Sequence, residues 1–228
     1  MITSLTNQKV KELVKLQNKK NRIAAGLFLV EGFHLVEEAM KAGVLVEVLS
    51  TEEYNFKKNT LVTEHIIEKL ANTKAPQGVI GVCEFPNIDI VSNKILVLDI
   101  SNPINLGTLL RSALGFGFKK VILSKNSCDE FSDKVLRGSQ GAIFHIEIER
   151  MELAEVIEKY SDYEILAADM SGATEFAVPE KVVLILGNES FGLPDEIKAS
   201  TKLISIDTDS IESLNLSVAG SILMHTLK

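Results

Sequence analysis

The chain has 228 residues, 46% of them hydrophobic and 24% charged, with a formal net charge of −7. That is room for two small domains or one large one, and the composition is globular, which excludes disordered and fibrous classes. The longest apolar runs, such as Val182-Val183-Leu184-Ile185-Leu186, have strand length and fall far short of a membrane span.

The N-terminus from Met1 to Arg22 is polar and basic, so no secretory signal and a cytoplasmic location are expected. Here Lys9, Lys11, Lys15, Lys19, Lys20 and Arg22 face a single acid, Glu12. A local stripe of this kind can bind phosphate even on an acidic protein, and it can also be a plain solvated helix face. Val10, Leu13 and Val14, with Gln17 to Ile23, predict an amphipathic opening helix capped by Thr6 or Asn7. Leu27 to Val30 reads as a buried strand, His34 to Ala42 as a helix closed by Gly43, and Val44 to Leu49 as a strand. Glu64 to Ala71 reads as a helix and Val79 to Cys83 as a strand after the turn Pro76-Gln77-Gly78. Residues 1–90 therefore form a small α/β domain, and Glu84 to Asn93 is the candidate linker.

From residue 93 to 228 the alternation is more regular. Ile95 to Leu98 is a strand, followed by a helix from Leu106 to Leu114 that ends at Gly115. Val121 to Leu123, Ile143 to Ile148, Ile165 to Ala168, Val182 to Leu186 and Leu203 to Ile206 are further short apolar strands. Glu152 to Tyr160 and Leu216 to Leu227 read as helices. Alternating βα units with continuously apolar strands predict a mostly parallel sheet covered on both faces, with ligands at the strands' C-terminal ends.

Three of those ends carry usable side chains. Asn102-Pro103-Ile104-Asn105-Leu106-Gly107-Thr108-Leu109-Leu110-Arg111 follows the Ile95 strand. Asn105 is expected just before the helix, and Gly107 and Arg111, four apart, share one helical face. A guanidinium beside a glycine suits a phosphate, a carboxylate or a developing oxyanion. Gly187-Asn188-Glu189-Ser190-Phe191-Gly192-Leu193-Pro194 follows the Val182 strand, with Pro194 expected to start a helix. Glu212-Ser213-Leu214-Asn215-Leu216-Ser217-Val218 leads into the last helix, where Ser213 and Asn215 are good caps. Each segment alone also reads as an ordinary capped turn.

Together, Asn105-x-Gly107-x3-Arg111, Leu186-Gly187-Asn188-Glu189-x2-Gly192 and Glu212-Ser213-Leu214-Asn215-Leu216-Ser217-Val218 resemble the three motifs of the SpoU (TrmH-like) RNA ribose 2′-O-methyltransferases. Arg22, Phe28-Leu29-Val30-Glu31-Gly32 and Thr73-Lys74-Ala75-Pro76-Gln77-Gly78 are similar to the substrate-binding domain often fused to them. The resemblance implies an L30e-like RNA-binding domain at residues 1–90. It implies a C-terminal α/β trefoil-knot (SPOUT) domain at 93–228. It also implies S-adenosylmethionine as cofactor, held by backbone around Leu186, Gly187, Ile206, Leu214 and Leu216. Arg111 would be the central catalytic residue, with Asn105, Glu189, Ser213 and Asn215 orienting it, the ribose or the cofactor. The partners implied are ribosomal or transfer RNA, with rRNA favoured, and a second copy of the chain, with the active site where the subunits meet. RNA would contact Lys15, Lys19, Lys20 and Arg22. The family's usual Pro and Gly are missing between Ile206 and Glu212, where Asp207-Thr208-Asp209-Ser210 stands instead.

The alternative within the same fold is a catalytically weak or silent RNA-binding relative, which the altered 207–210 loop would favour. A second alternative is an α/β enzyme for a small acidic metabolite, with Arg111 as carboxylate clamp. No metal is expected, since His34, His65, His145 and His225 are scattered and Cys83 and Cys128 have no ligand spacing.

Overall fold

The computed structural model describes residues 1–211 and 213–228. The opening helix is broken in two. α1 (Gln8–Lys15) is capped by Asn7, whose side chain accepts from the Lys9 amide at 2.9 Å, and α2 (Lys19–Ala25) by Asn18, which accepts from Lys20 at 2.9 Å. A second capping residue inside an amphipathic run starts a second helix, which is why the periodicity alone misses the break. There follow β1 (Leu27–Glu31), α3 (Phe33–Lys41), β2 (Leu45–Ser50), β3 (Asn59–Leu61), α4 (Glu64–Leu70) and β4 (Val79–Glu84). Strand β3, three residues long, was not expected. The sheet runs β1-β4-β2-β3, antiparallel except for the β2–β3 pair. Val10, Leu13 and Leu16 pack over one side of it against Leu49, Ile66, Ile67, Leu70 and Ile80.

Of the expected linker, Glu84 to Asn93, Glu84 ends β4 and residues 85–93 form neither helix nor strand. Next come β5 (Lys94–Leu98), α5 (Pro103–Gly115), β6 (Lys120–Leu123), α6 (Asp133–Ser139), a 3₁₀ turn (Ala142–His145), β7 (Glu147–Arg150), α7 (Leu153–Lys159) and β8 (Glu164–Ala173). The chain ends with β9 (Val182–Leu186), α8 (Asp195–Ser200), β10 (Lys202–Ile204) and α9 (Leu216–Thr226). The expected strand Ile143 to Ile148 is thus a correction: its first half is the 3₁₀ turn, buried through Ile143 and Phe144.

The chain divides into two compact units, Met1–Asn87 with Asp129–His145, and Ile88–Cys128 with Ile146–Lys228. The stretch 129–145, which the sequence groups with the second half, belongs to the first unit because its aromatic rings do. Phe131 lies 4.9 Å from the Phe28 ring and 4.7 Å from Phe85, and Phe144 lies 6.3 Å from Phe28.

In the second unit the sheet order is β10-β8-β9-β5-β6-β7 and every neighbouring pair is parallel. β5 leads through α5 to β6 on one side, while β8 and β9 fill the other, so the winding reverses between β5 and β9. Such a switch point opens a crevice at the strands' C-terminal ends. α9 closes down on it: a Cβ at Gly220 would lie 2.5 Å from Leu186 Cδ1 and 2.6 Å from Leu109 Cδ2, so any larger residue would have to push those leucine methyls aside for the helix to sit this close to β9 and α5.

Candidate active site

The two strands flanking the switch point end in segments that hydrogen-bond each other. After β5, Asn102 caps α5 by accepting from the Ile104 amide at 2.9 Å, and Pro103 fills the first helical position. Helix α5 therefore begins three residues before the apolar period suggests. Asn105 lies inside its first turn, 7% exposed, and not ahead of the helix as expected.

After β9 the chain makes a tight reversal. Asn188 and Gly192 exchange backbone hydrogen bonds of 3.0 and 2.9 Å, and Gly192 takes φ +67°. A Cβ at Gly187 would stand 2.6 Å from the carbonyl carbon of Gly192 and 2.8 Å from the Leu193 nitrogen, so the reversal requires glycine there. Pro194 caps α8 and is not its first residue. The tip of the reversal is Glu189-Ser190-Phe191.

Glu189 turns onto the start of α5. One carboxylate oxygen accepts from the Ser101 amide (3.2 Å) and hydroxyl (3.1 Å), the other from the Asn102 amide and the Asn105 side chain, both at 3.2 Å. Burial pushes the Glu189 carboxyl up, but the amides of Glu189, Ser101 and Asn102 and the Asn105 side chain more than offset it and hold it below its ordinary value. Asn105 must donate to this carboxylate, which leaves its Oδ1 to accept from Asn215 Nδ2 at 3.2 Å. Asn215 Oδ1 is then free to cap α9, accepting from the Ser217 amide at 2.9 Å and hydroxyl at 2.7 Å. A single polar chain, Glu189–Asn105–Asn215–Ser217, thus ties together the ends of β5 and β9 and the start of α9.

Sequence reasoning missed Ser101, which donates to Glu189 and accepts from the Asn188 side chain at 3.2 Å. The only signal was a polar residue right after a strand. Arg111 and Ser213 are exposed and have no polar partner among the described residues, so the structure does not bring them into the chain. Leu186 and Gly187 are buried at the end of β9, Ile206 lies beyond β10 and is half-buried, and Leu214 and Leu216 are half-buried at the entrance to α9. Glu212, named in the third motif, lies outside the described residues.

In the first unit Lys15, Lys19 and Lys20 are exposed. Arg22 is not on their surface. It is 6% exposed, pairs with Asp129 and donates to the carbonyls of Leu16 (2.9 Å) and Gln17 (3.1 Å), a burial that a basic run in sequence does not reveal. Among the described residues no group of three or more His, Cys, Asp or Glu could hold a metal, and no helix is long and apolar enough to cross a membrane.

Known proteins share this architecture. Residues 92–225 match the SpoU rRNA Methylase family and residues 7–81 the MRM3-like substrate binding domain. The chain is 33% identical to the Bacillus subtilis 23S rRNA (guanosine(2553)-2′-O)-methyltransferase RlmP over 100% of its own length and 98% of that protein's. A solved RNA 2′-O ribose methyltransferase superposes with TM-score 0.85 at 26% identity, covering 99% of this chain and 97% of that one. An AdoMet-bound rRNA methyltransferase from Sinorhizobium meliloti gives 0.83 at 26% identity, covering 98% and 95%. With the three motif segments meeting at the switch point of a parallel sheet, the chain belongs to the SpoU rRNA methylase family.

Proposed function

We propose that the protein transfers a methyl group from S-adenosylmethionine to a ribose 2′-hydroxyl of ribosomal RNA, acting as a cytoplasmic homodimer. The observation that carries this reading is the polar chain Glu189–Asn105–Asn215, which gathers side chains from all three motifs at one crevice. The residues present suit the cofactor. Half-buried Ile206, Leu214 and Leu216 offer the aliphatic walls that an adenosyl group needs, at the strand end where Gly187 lets the chain turn back on itself.

When bound, the cofactor supplies a methyl carbon already activated by its sulfonium leaving group. The protein's task is then to align the 2′-oxygen in line with that carbon and to favour loss of the hydroxyl proton. Glu189, ionised and already accepting four hydrogen bonds, serves as a fixed post for Asn105 and the α5 N-terminus and not as the base. Arg111 cannot act as a base either, because guanidinium stays protonated in proteins. Exposed and uncommitted, it is available to grip a phosphate and stabilise the developing alkoxide.

The dimer rests on apolar surface in the same region. Val218 and Ile222, four apart on α9, are 47% and 41% exposed, and Ile104 on α5 is 61% exposed. A second copy seated there would cover this surface and bring its own residues to the crevice.

The test is ribose-methylation mapping of rRNA from a strain lacking the protein, followed by methyl transfer to that RNA by the purified protein. One ribose should be unmethylated in the strain and regain its methyl in vitro. RNA binding without any methyl transfer would instead identify a silent relative, the reading that the Asp207-Thr208-Asp209-Ser210 loop favours.

A further inference from the structure

The reversal after β9 holds a side chain that the chemistry above leaves unused. Phe191 is 89% exposed, an extreme for an aromatic residue, and its ring meets no other ring among the described residues. The backbone that carries it is fixed on both sides: the Asn188–Gly192 pair closes the loop, and Glu189 is fastened to Ser101, Asn102 and Asn105. Phe191 is two residues from Glu189, a span of at most about 7 Å. The segment Gly187 to Pro194 carries no Lys or Arg, so this edge of the crevice offers a flat neutral face and not a phosphate grip.

Resting on the proposed methyl transfer, we infer that Phe191 is a stacking platform for an unpaired nucleobase of the substrate RNA, either the base of the methylated nucleotide or its immediate neighbour. A ribose whose 2′-oxygen is presented beside Glu189 and Asn105 carries its base one glycosidic bond away, within reach of a ring this close. Single-stranded RNA is commonly held by stacking its splayed bases on aromatic side chains, and such contacts tolerate any base. The exposed ring therefore sets substrate affinity, while the motif side chains set the rate.

The chain has no tryptophan, so Phe191→Trp creates a single tryptophan at this position, whose emission can be excited apart from the three tyrosines. The probe is rRNA from the strain lacking the protein, added to enzyme saturated with cofactor. Phe191→Ala should raise KM for RNA roughly 5- to 150-fold, the range lost with one base stack, leaving kcat and cofactor affinity nearly unchanged. Phe191→Leu, apolar but not aromatic, should not rescue it, and Phe191→Trp should. The Phe191→Trp emission should be quenched as RNA is added. A wild-type KM in Phe191→Ala, or emission indifferent to RNA, overturns the inference. Emission that follows protein concentration without RNA, with Phe191→Ala weakening self-association, also overturns it and makes the ring a subunit contact. If the wild-type protein transfers no methyl group, the proposed function fails, while quenching of Phe191→Trp by RNA still decides the stacking.

Discussion

Glu189 and Arg111 differ in how the fold holds them, and the proposed methyl transfer tests them in opposite ways. Because the folded-state pKa of Glu189 is depressed below its ordinary 4.5, its hydrogen bonds are fully present above that value and are lost only as the pH falls through the lower, folded value. Methyl transfer should accordingly show no inflection from Glu189 between about pH 5 and 8. Glu189→Gln replaces one accepting oxygen by a donor facing the Ser101 and Asn102 amides or the Asn105 side chain, so turnover should fall at every pH in that range. A variant that regains wild-type turnover at alkaline pH would mean that Glu189 is the base after all. Arg111 has no such anchoring. Arg111→Lys keeps the charge and loses the planar fork, and turnover should drop about 100- to 1000-fold, as for loss of a transition-state donor. Cofactor affinity should barely move. Single-turnover transfer at near wild-type rate in Arg111→Lys would reduce Arg111 to a phosphate anchor.

Among the elements, α1 and α2 separate two uses of positive charge that the sequence lumps together. Lys15, Lys19 and Lys20 point to solvent and Arg22 is buried on Asp129. If the three lysines meet RNA phosphates, replacing them with Gln should flatten the slope of log affinity against log salt by about 2, at about 0.7 for each single-strand contact. An unchanged slope would make α1 and α2 a solvated face. Arg22→Gln should act on folding instead. It strands Asp129 and the carbonyls of Leu16 and Gln17, at a cost on the order of 3 kcal/mol, read from urea unfolding.

For the whole molecule the decisive question is its oligomeric state. Val218 and Ile222 form an exposed apolar pair on the helix whose cap, Asn215, belongs to the crevice. Val218→Lys with Ile222→Lys should therefore yield monomers by light scattering and abolish methyl transfer in the same protein. A monomeric wild-type protein at micromolar concentration that still methylates RNA would remove the dimer from the mechanism.

The sequence by itself determined the local elements and the chemistry they carry. Period and capping residues gave most helices and strands of both units. Gly187, Gly192 and Asn215 stand where their turns and cap demand them, whereas the cap of α5 is Asn102 and not the expected Asn105, and the motif segments named the family. Local pattern failed where a partner lies far along the chain. Asn105 meets Glu189 across 84 positions and Asn215 across 110, and Arg22 meets Asp129 across 107, so no period or spacing encodes those pairs. The same holds for residues 129–145, whose place in the first unit follows from Phe131 and Phe144 finding Phe28 and Phe85. Only the tertiary structure decided which polar groups are fastened to each other and which side chains, like Arg111 and Phe191, are left exposed, because that depends on which strand ends the sheet brings side by side.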